Sequence, residues 1–103
     1  WGICLDTGHL NLSGKNFAQF IHKAGPALKA LHIADNLGVN DDHLLPYSKG
    51  LVPWDEVMTA LKDINYQGLF NFEVPGERCP LPISLDKLEY ARKLALWMTR
   101  DLP

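Results

Sequence analysis

The stretch CLDTGHL, residues 4–10, ends an apolar run in a carboxylate and an imidazole three residues apart. Gly2-Ile3-Cys4-Leu5 has the short, apolar character of a buried strand. Its abrupt conversion into Asp6-Thr7-Gly8-His9 places two chemically active side chains at the strand's end. The same design recurs twice. LKALHIAD, residues 28–35, and LFNFEV, residues 69–74, are again short apolar segments that finish on polar, ionisable groups.

Between these segments the chain carries helical periodicity. Phe17, Phe20, Ile21 and Ala24 fall at helix spacing, so a helix is expected over 16–24, stopped by Gly25-Pro26. A second helix is expected from Pro53, with Asp55 and Glu56 in the first turn, where carboxylates complement the dipole. Its buried stripe is Trp54, Val57, Met58, Leu61 and Ile64. Ser84 is the expected N-cap of a last helix running to Arg100. The strands are expected at 2–6, 28–34 and 68–74. A long polar loop, DNLGVNDDHLLPYSKG, fills residues 35–50. Strand–helix alternation repeated three times specifies an α/β fold with a parallel sheet and right-handed crossovers.

Side chains alternate between the two faces of a strand. Ile3 and Leu5 therefore oppose Gly2, Cys4 and Asp6. Leu31 and Ile33 oppose Ala30, His32 and Ala34, while Phe70, Phe72 and Val74 oppose Asn71 and Glu73. The bulky apolar faces are expected to meet the helices. Asp6, His32 and Glu73 then share the other face, at the end of the sheet where parallel α/β folds bind ligands. Taken alone, a strand-end Asp is most often a cap and a strand His most often a satisfied core residue. Glu73 resists a bland reading, because a carboxylate within LFNFEV is expensive to bury unless it is paired or bound to a cation. An Asp/His/Glu set, two hard oxygen donors and a borderline nitrogen, is the chemistry of a divalent metal site.

Composition narrows the classes. The chain has 103 residues, 47% of them hydrophobic and 21% charged, as expected for a single small globular unit. A net charge of −2, from 10 basic and 12 acidic residues, gives no sign of a nucleic-acid surface. No apolar run approaches the roughly 20 residues of a membrane helix, and no signal peptide is expected. Cys4 in an apolar run and Cys79 in a Pro-rich loop form no disulfide framework, so a reducing, cytoplasmic setting is expected.

CLDTGHLNL, LKALHIADNLGVNDDHLLPYSKGLVPWDEV and LFNFEVPGE, in that order, closely resemble the xylose isomerase-like barrel superfamily. That group includes sugar phosphate isomerases and epimerases and the endonuclease IV-type enzymes (AP endonuclease family 2). The resemblance implies that the chain holds the last three βα units of a (β/α)8 barrel. It implies a divalent metal (Mn²⁺, Co²⁺, Mg²⁺ or Zn²⁺) bound by Asp6, His32 and Glu73, with a further Glu ligand on the preceding strand. His9, in the Asp-x-x-His pattern, is the implied substrate contact. Asn36, Asp41 and His43 are further substrate contacts expected from the rim loop. Lys49 and Arg78 lie in rim loops and are read as solvated charge, with phosphate or carboxylate recognition as the alternative role. Asp35 and Asp42 are read as solvated turn residues.

The implied activity is metal-dependent isomerisation or epimerisation of a sugar, polyol or sugar phosphate. Its chemistry is proton transfer through an ene-diolate, with Glu73 as one acid/base carboxylate and His9 at the substrate's oxygens. A barrel needs about 250 residues, so these residues are read as the C-terminal part of one, inactive alone. A genuine small α/β domain is the alternative. The expected partners are a small-molecule sugar or polyol and a second copy of the protein in a homo-oligomer, with neither nucleic acid nor membrane. Two other functional classes remain. One is a zinc phosphodiesterase acting at abasic DNA sites, with Asp6, His9, His32, Asp41, His43 and Glu73 all as ligands. The other is a non-catalytic barrel that only binds.

Overall fold

The computed structural model describes residues 1–103. The elements in chain order are β1 (Ile3–Asp6), α1 (Thr7–Ser13), α2 (Phe17–Ala24), β2 (Leu28–Ile33), α3 (Trp54–Asp63), β3 (Leu69–Phe72) and α4 (Leu81–Met98), with a 3-10 turn at Gly25–Ala27. The strands form one parallel sheet in the order β1-β2-β3. Asp6 pairs with His32, and His32 with Asn71. Glu73 lies one residue beyond β3, yet its N–H still donates to the Ile33 carbonyl at 2.8 Å. The ladder thus continues far enough to keep Glu73 on the face of Asn71 and His32.

One face of the sheet forms the core. Leu5, Leu31 and Ile33 pack with Phe17 and Ile21 of α2 and with Val57, Ala60 and Leu61 of α3. Asn16 caps α2, its Oδ1 accepting from the Gln19 N–H at 2.9 Å. The opposite face is bare. Cys4, His32, Leu69 and Asn71 are exposed on it, and Leu69 keeps 64% of its surface open. Parallel sheets are ordinarily covered on both faces, and β1 and β3 also offer unpaired edges. The isolated 103-residue chain is therefore expected to self-associate. Light scattering tests this: a soluble monomer that unfolds cooperatively would show that three βα units suffice by themselves.

Two elements differ from expectation. α1 is absent from the periodicity because it has only seven residues and includes Gly8, a poor helix former. It forms because Asp6 caps it and because Gly14, at φ 72°, ends it in a left-handed turn. α4 begins at Leu81 rather than at Ser84 and ends at Met98 rather than Arg100. Pro82 causes the early start. A proline in the first turn lacks only an N–H that has no helical acceptor there, and the Ser84 N–H is already bonded to the Pro80 carbonyl at 3.0 Å. Ser84 Oγ, no longer a cap, sits 3.0 Å from Cys79 Sγ. Only the end of α4 packs: Met98 is buried, and Leu94 and, just beyond the helix, Leu102 lean on the core. Leu81, Leu85, Leu88 and Trp97 are exposed, and Phe70 and Phe72 of β3 are only half-buried.

Candidate metal and substrate site

The strand ends bring three donors together. Asp6, His32 and Glu73 each offer one ligand atom, and all three atoms lie within 4.8 Å of one another. His32 Nδ1 is 3.2 Å from Glu73 Oε2. Bonds of about 2.0–2.2 Å to one metal hold two donors at most about 4.4 Å apart, so small rotamer changes complete the convergence. Two carboxylates and an imidazole fit a divalent cation of the Mn²⁺, Co²⁺, Mg²⁺ or Zn²⁺ kind. Asp6 also acts locally, where its Oδ1 accepts from the His9 N–H at 2.9 Å and starts α1. One side chain therefore both caps the helix that carries His9 and points an oxygen at the cluster.

A second chain of contacts runs beside the first. His9 Nδ1 lies 3.4 Å from Asp6 Oδ2. Asp41 Oδ2 is 3.1 Å from His9 Nε2 and also 3.1 Å from His43 Nε2. His43 Nδ1 donates to the backbone carbonyl of Glu73 at 2.7 Å. A carbonyl and a carboxylate only accept, so His43 faces an acceptor at each ring nitrogen and is suited to carry both protons. The bond to Glu73's carbonyl, helped by the negative charge and hydrogen bond of Asp41 and opposed by burial, holds its pKa above the ordinary histidine value. Its backbone lies in the left-handed region at φ 55°, a conformation uncommon for a residue with a side chain.

The loop that carries Asp41 and His43 is built on residues whose role the sequence conceals. Asp35, expected to be a solvated turn residue, is 1% exposed. Its Oδ1 accepts from the Asn36 and Val52 N–H groups at 2.7 and 2.9 Å, and its Oδ2 from the Trp54 indole at 2.7 Å. A Cβ on Gly50 would land on this carboxylate, so only glycine fits there. Asn36, expected to touch substrate, is fully buried and already engaged. Its Oδ1 accepts from Asn11 Nδ2 at 2.7 Å and from the Gly38 N–H at 2.9 Å, and its Nδ2 donates to the Gly8 carbonyl at 2.9 Å. It braces α1 against the loop instead.

Thr7, which sequence reasoning passes over, is also fully buried. Its hydroxyl donates to the Ala34 carbonyl at 2.7 Å and accepts from the Ala34 N–H at 3.0 Å, tying the ends of β1 and β2 together. Asp42 behaves as expected of a turn residue, accepting from the Leu37 N–H at 3.2 Å. Lys49 and Arg78 are exposed. A cavity of about 630 Å³ between Ile3 and α2, lined by Lys15, Asn16, Phe20 and Lys23 among others, contains no carboxylate or imidazole and is separate from the donors described above.

Residues 1–100 match the xylose isomerase-like TIM barrel family. The chain belongs to that family. It is 46% identical over 66 residues to a D-psicose 3-epimerase of Enterocloster bolteae and 38% identical over 66 residues to a D-psicose 3-epimerase of Agrobacterium fabrum. Each match takes in 64% of this chain but only 20% and 21% of the respective relatives. Among solved structures, a D-psicose 3-epimerase crystallised in the presence of D-fructose superposes with a TM-score of 0.66 at 26% identity, over 96% of this chain and 37% of that one. A D-tagatose 3-epimerase-like protein gives 0.64 at 30% identity, over 91% and 35%. The three strands are thus consecutive strands of a TIM barrel. The ends that carry Asp6 and His32, with Glu73 just beyond the third, belong to the rim where such barrels place their active sites. The bare face of the sheet corresponds to the barrel interior, and no helix is long and apolar enough to cross a membrane.

Proposed function

We propose that the chain is the C-terminal part of a divalent-metal-dependent sugar epimerase that acts on a ketose. The convergence of Asp6, His32 and Glu73 on the catalytic rim carries this reading, and the epimerase relatives support it. In the intact barrel these three would hold the cation, together with a Glu from the preceding strand. A divalent cation there would polarise a sugar carbonyl and make the neighbouring C–H more acidic. Glu73, which meets His32 through Oε2, would exchange a proton with that carbon as one of two acid/base carboxylates. Epimerisation needs a second carboxylate on the other side of the carbon, which the rest of the barrel would supply. His9 would hydrogen-bond the sugar's oxygens, and Asp41 and His43 flank it.

The test is turnover by the full-length protein of D-psicose, D-fructose and related ketoses with added Mn²⁺, Co²⁺ or Mg²⁺. Interconversion of a ketose pair supports the reading; inertness toward the whole panel with each metal refutes it. One observation favours a zinc phosphodiesterase instead: Asp6, His9, His32, Asp41, His43 and Glu73 form one continuous network. The acidic balance of the chain weighs against it, because DNA binding rests on Lys and Arg at phosphates. Cleavage of abasic DNA without ketose turnover would reverse the choice.

A further inference from the structure

His9 stands on a helix of seven residues, and its side chain is 65% exposed, so packing does little to fix its ring. What holds the ring is polar. Asp6 stands at Nδ1 and Asp41 at Nε2, the second contact being the shorter at 3.1 Å against 3.4 Å. Asp41 is itself held, because the same Oδ2 that meets His9 meets His43, and His43 is anchored on the Glu73 carbonyl. The orientation of His9 is therefore set from a loop more than thirty residues away in the chain and, through His43, from the backbone of a candidate metal ligand.

We infer that Asp41 is a positioning residue that fixes the orientation and the Nε2–H tautomer of His9, and that it is neither a metal ligand nor a primary substrate contact. Two carboxylates flank the ring, but only the Nε2–Asp41 contact has hydrogen-bond geometry, and a carboxylate only accepts, so the proton of a neutral His9 sits on Nε2. His9 thereby keeps a constant ring plane at the rim, with Nδ1, which makes no hydrogen bond to Asp6 at 3.4 Å, left to accept from a substrate hydroxyl. Carboxylates that orient a metal-bound histidine through its second nitrogen matter by about 10–100-fold in affinity or activity, and the same order is expected for Asp41 acting on His9. The role of His9 as a substrate contact rests on the epimerase reading. Its coupling to Asp41 does not.

The experiment uses the full-length protein with Asp41→Ala, Asp41→Asn, His9→Ala and the double variant His9→Ala/Asp41→Ala. Nitrogen NMR of ¹⁵N-histidine-labelled, metal-free protein at alkaline pH, where an imidazole is neutral, reads the tautomer directly. The His9 signals should report protonated Nε2 in the native protein and a mixture of tautomers in Asp41→Ala, with Asp41→Asn, which keeps one carbonyl acceptor, in between. His9 signals unchanged in Asp41→Ala overturn the inference.

Ketose turnover gives the second measure. Asp41→Ala should lower kcat/KM by about tenfold or more, yet cost nothing further once His9 is already Ala. Losses that multiply in the double variant would make Asp41 an independent contact and overturn the inference. So would a loss of Mn²⁺ affinity of about tenfold or more in Asp41→Ala, since that would make it a ligand. If the native protein turns over no ketose, the epimerase reading fails by itself, and the NMR result still decides the role of Asp41.

Discussion

Glu73→Gln in the full-length protein is expected to end ketose epimerisation while leaving the fold intact. The substitution keeps the shape and removes the charge. Glu73 is half exposed, and its carboxylate meets only His32, at 3.2 Å, so the core loses nothing. Its backbone bonds, to Ile33 through the N–H and to His43 through the carbonyl, survive the change. On the proposed function, what disappears is a group with two roles, the anionic metal ligand and the proton-transferring carboxylate. Loss of a general acid or base alone costs about 10²–10⁴-fold, and weaker Mn²⁺ binding adds to that. The check is turnover at saturating metal beside a circular dichroism spectrum and an unfolding curve. A Glu73→Gln enzyme with native activity would remove Glu73 from the chemistry and leave its position on the rim without a role.

The second large effect falls on stability. Asp35→Ala is expected to destabilise the protein severely, although Asp35 contacts none of the candidate ligands. Both carboxylate oxygens are occupied, by two backbone N–H groups and the Trp54 indole. Asn36, Val52 and Trp54 are 0%, 5% and 4% exposed, so water cannot replace the lost acceptor easily. A buried donor left unsatisfied costs about 1–3 kcal/mol. Three of them amount to about 3–9 kcal/mol, a large part of the roughly 5–15 kcal/mol that typically separates folded from unfolded protein. Asp35→Asn should cost less, because one oxygen can still accept, but its amide would face a donor. Urea or thermal unfolding of the full-length protein measures both. A midpoint for Asp35→Ala close to native would mean that the loop rearranges and finds other acceptors. The loop from 36 to 52 carries Asp41 and His43, so its loosening should also show as a disordered rim.

The alternation along each strand is enough to place Asp6, His32 and Glu73 on one face. A strand has only two faces, and the bulky residues between the polar ones choose which face is buried. The helices at 17–24 and 54–63 are legible for a similar reason: an apolar stripe at 3.6-residue spacing has few other uses. α1 is hidden because a seven-residue helix containing a glycine has almost no stripe. Its signals are its ends, Asp6 as cap and Gly14 as stop, and these matter only once a strand is known to feed into them.

Asp35 and Asn36 are misread for a deeper reason. In a polar loop every carboxylate looks solvated, and the acceptor's partners at Val52 and Trp54 stand 17 and 19 residues further on. The limited packing of α4 is equally invisible, because a helix apolar on several sides does not say which side will meet the core.

By itself, then, the sequence determined the layout of this protein: three βα units, a parallel sheet, and a carboxylate–imidazole–carboxylate set at one end of it. Each of these follows from short-range periodicity, which the local backbone geometry translates directly into faces. Only the tertiary structure decided which polar residues are scaffold and which are free to act. Asp35, Asn36 and Thr7 are consumed by bonds across the chain, while Asp6, His9, His32, Asp41, His43 and Glu73 share one network at the rim. A polar side chain's role depends on its partners, and in a parallel α/β fold those partners come from other strands and loops, at separations that no local pattern records.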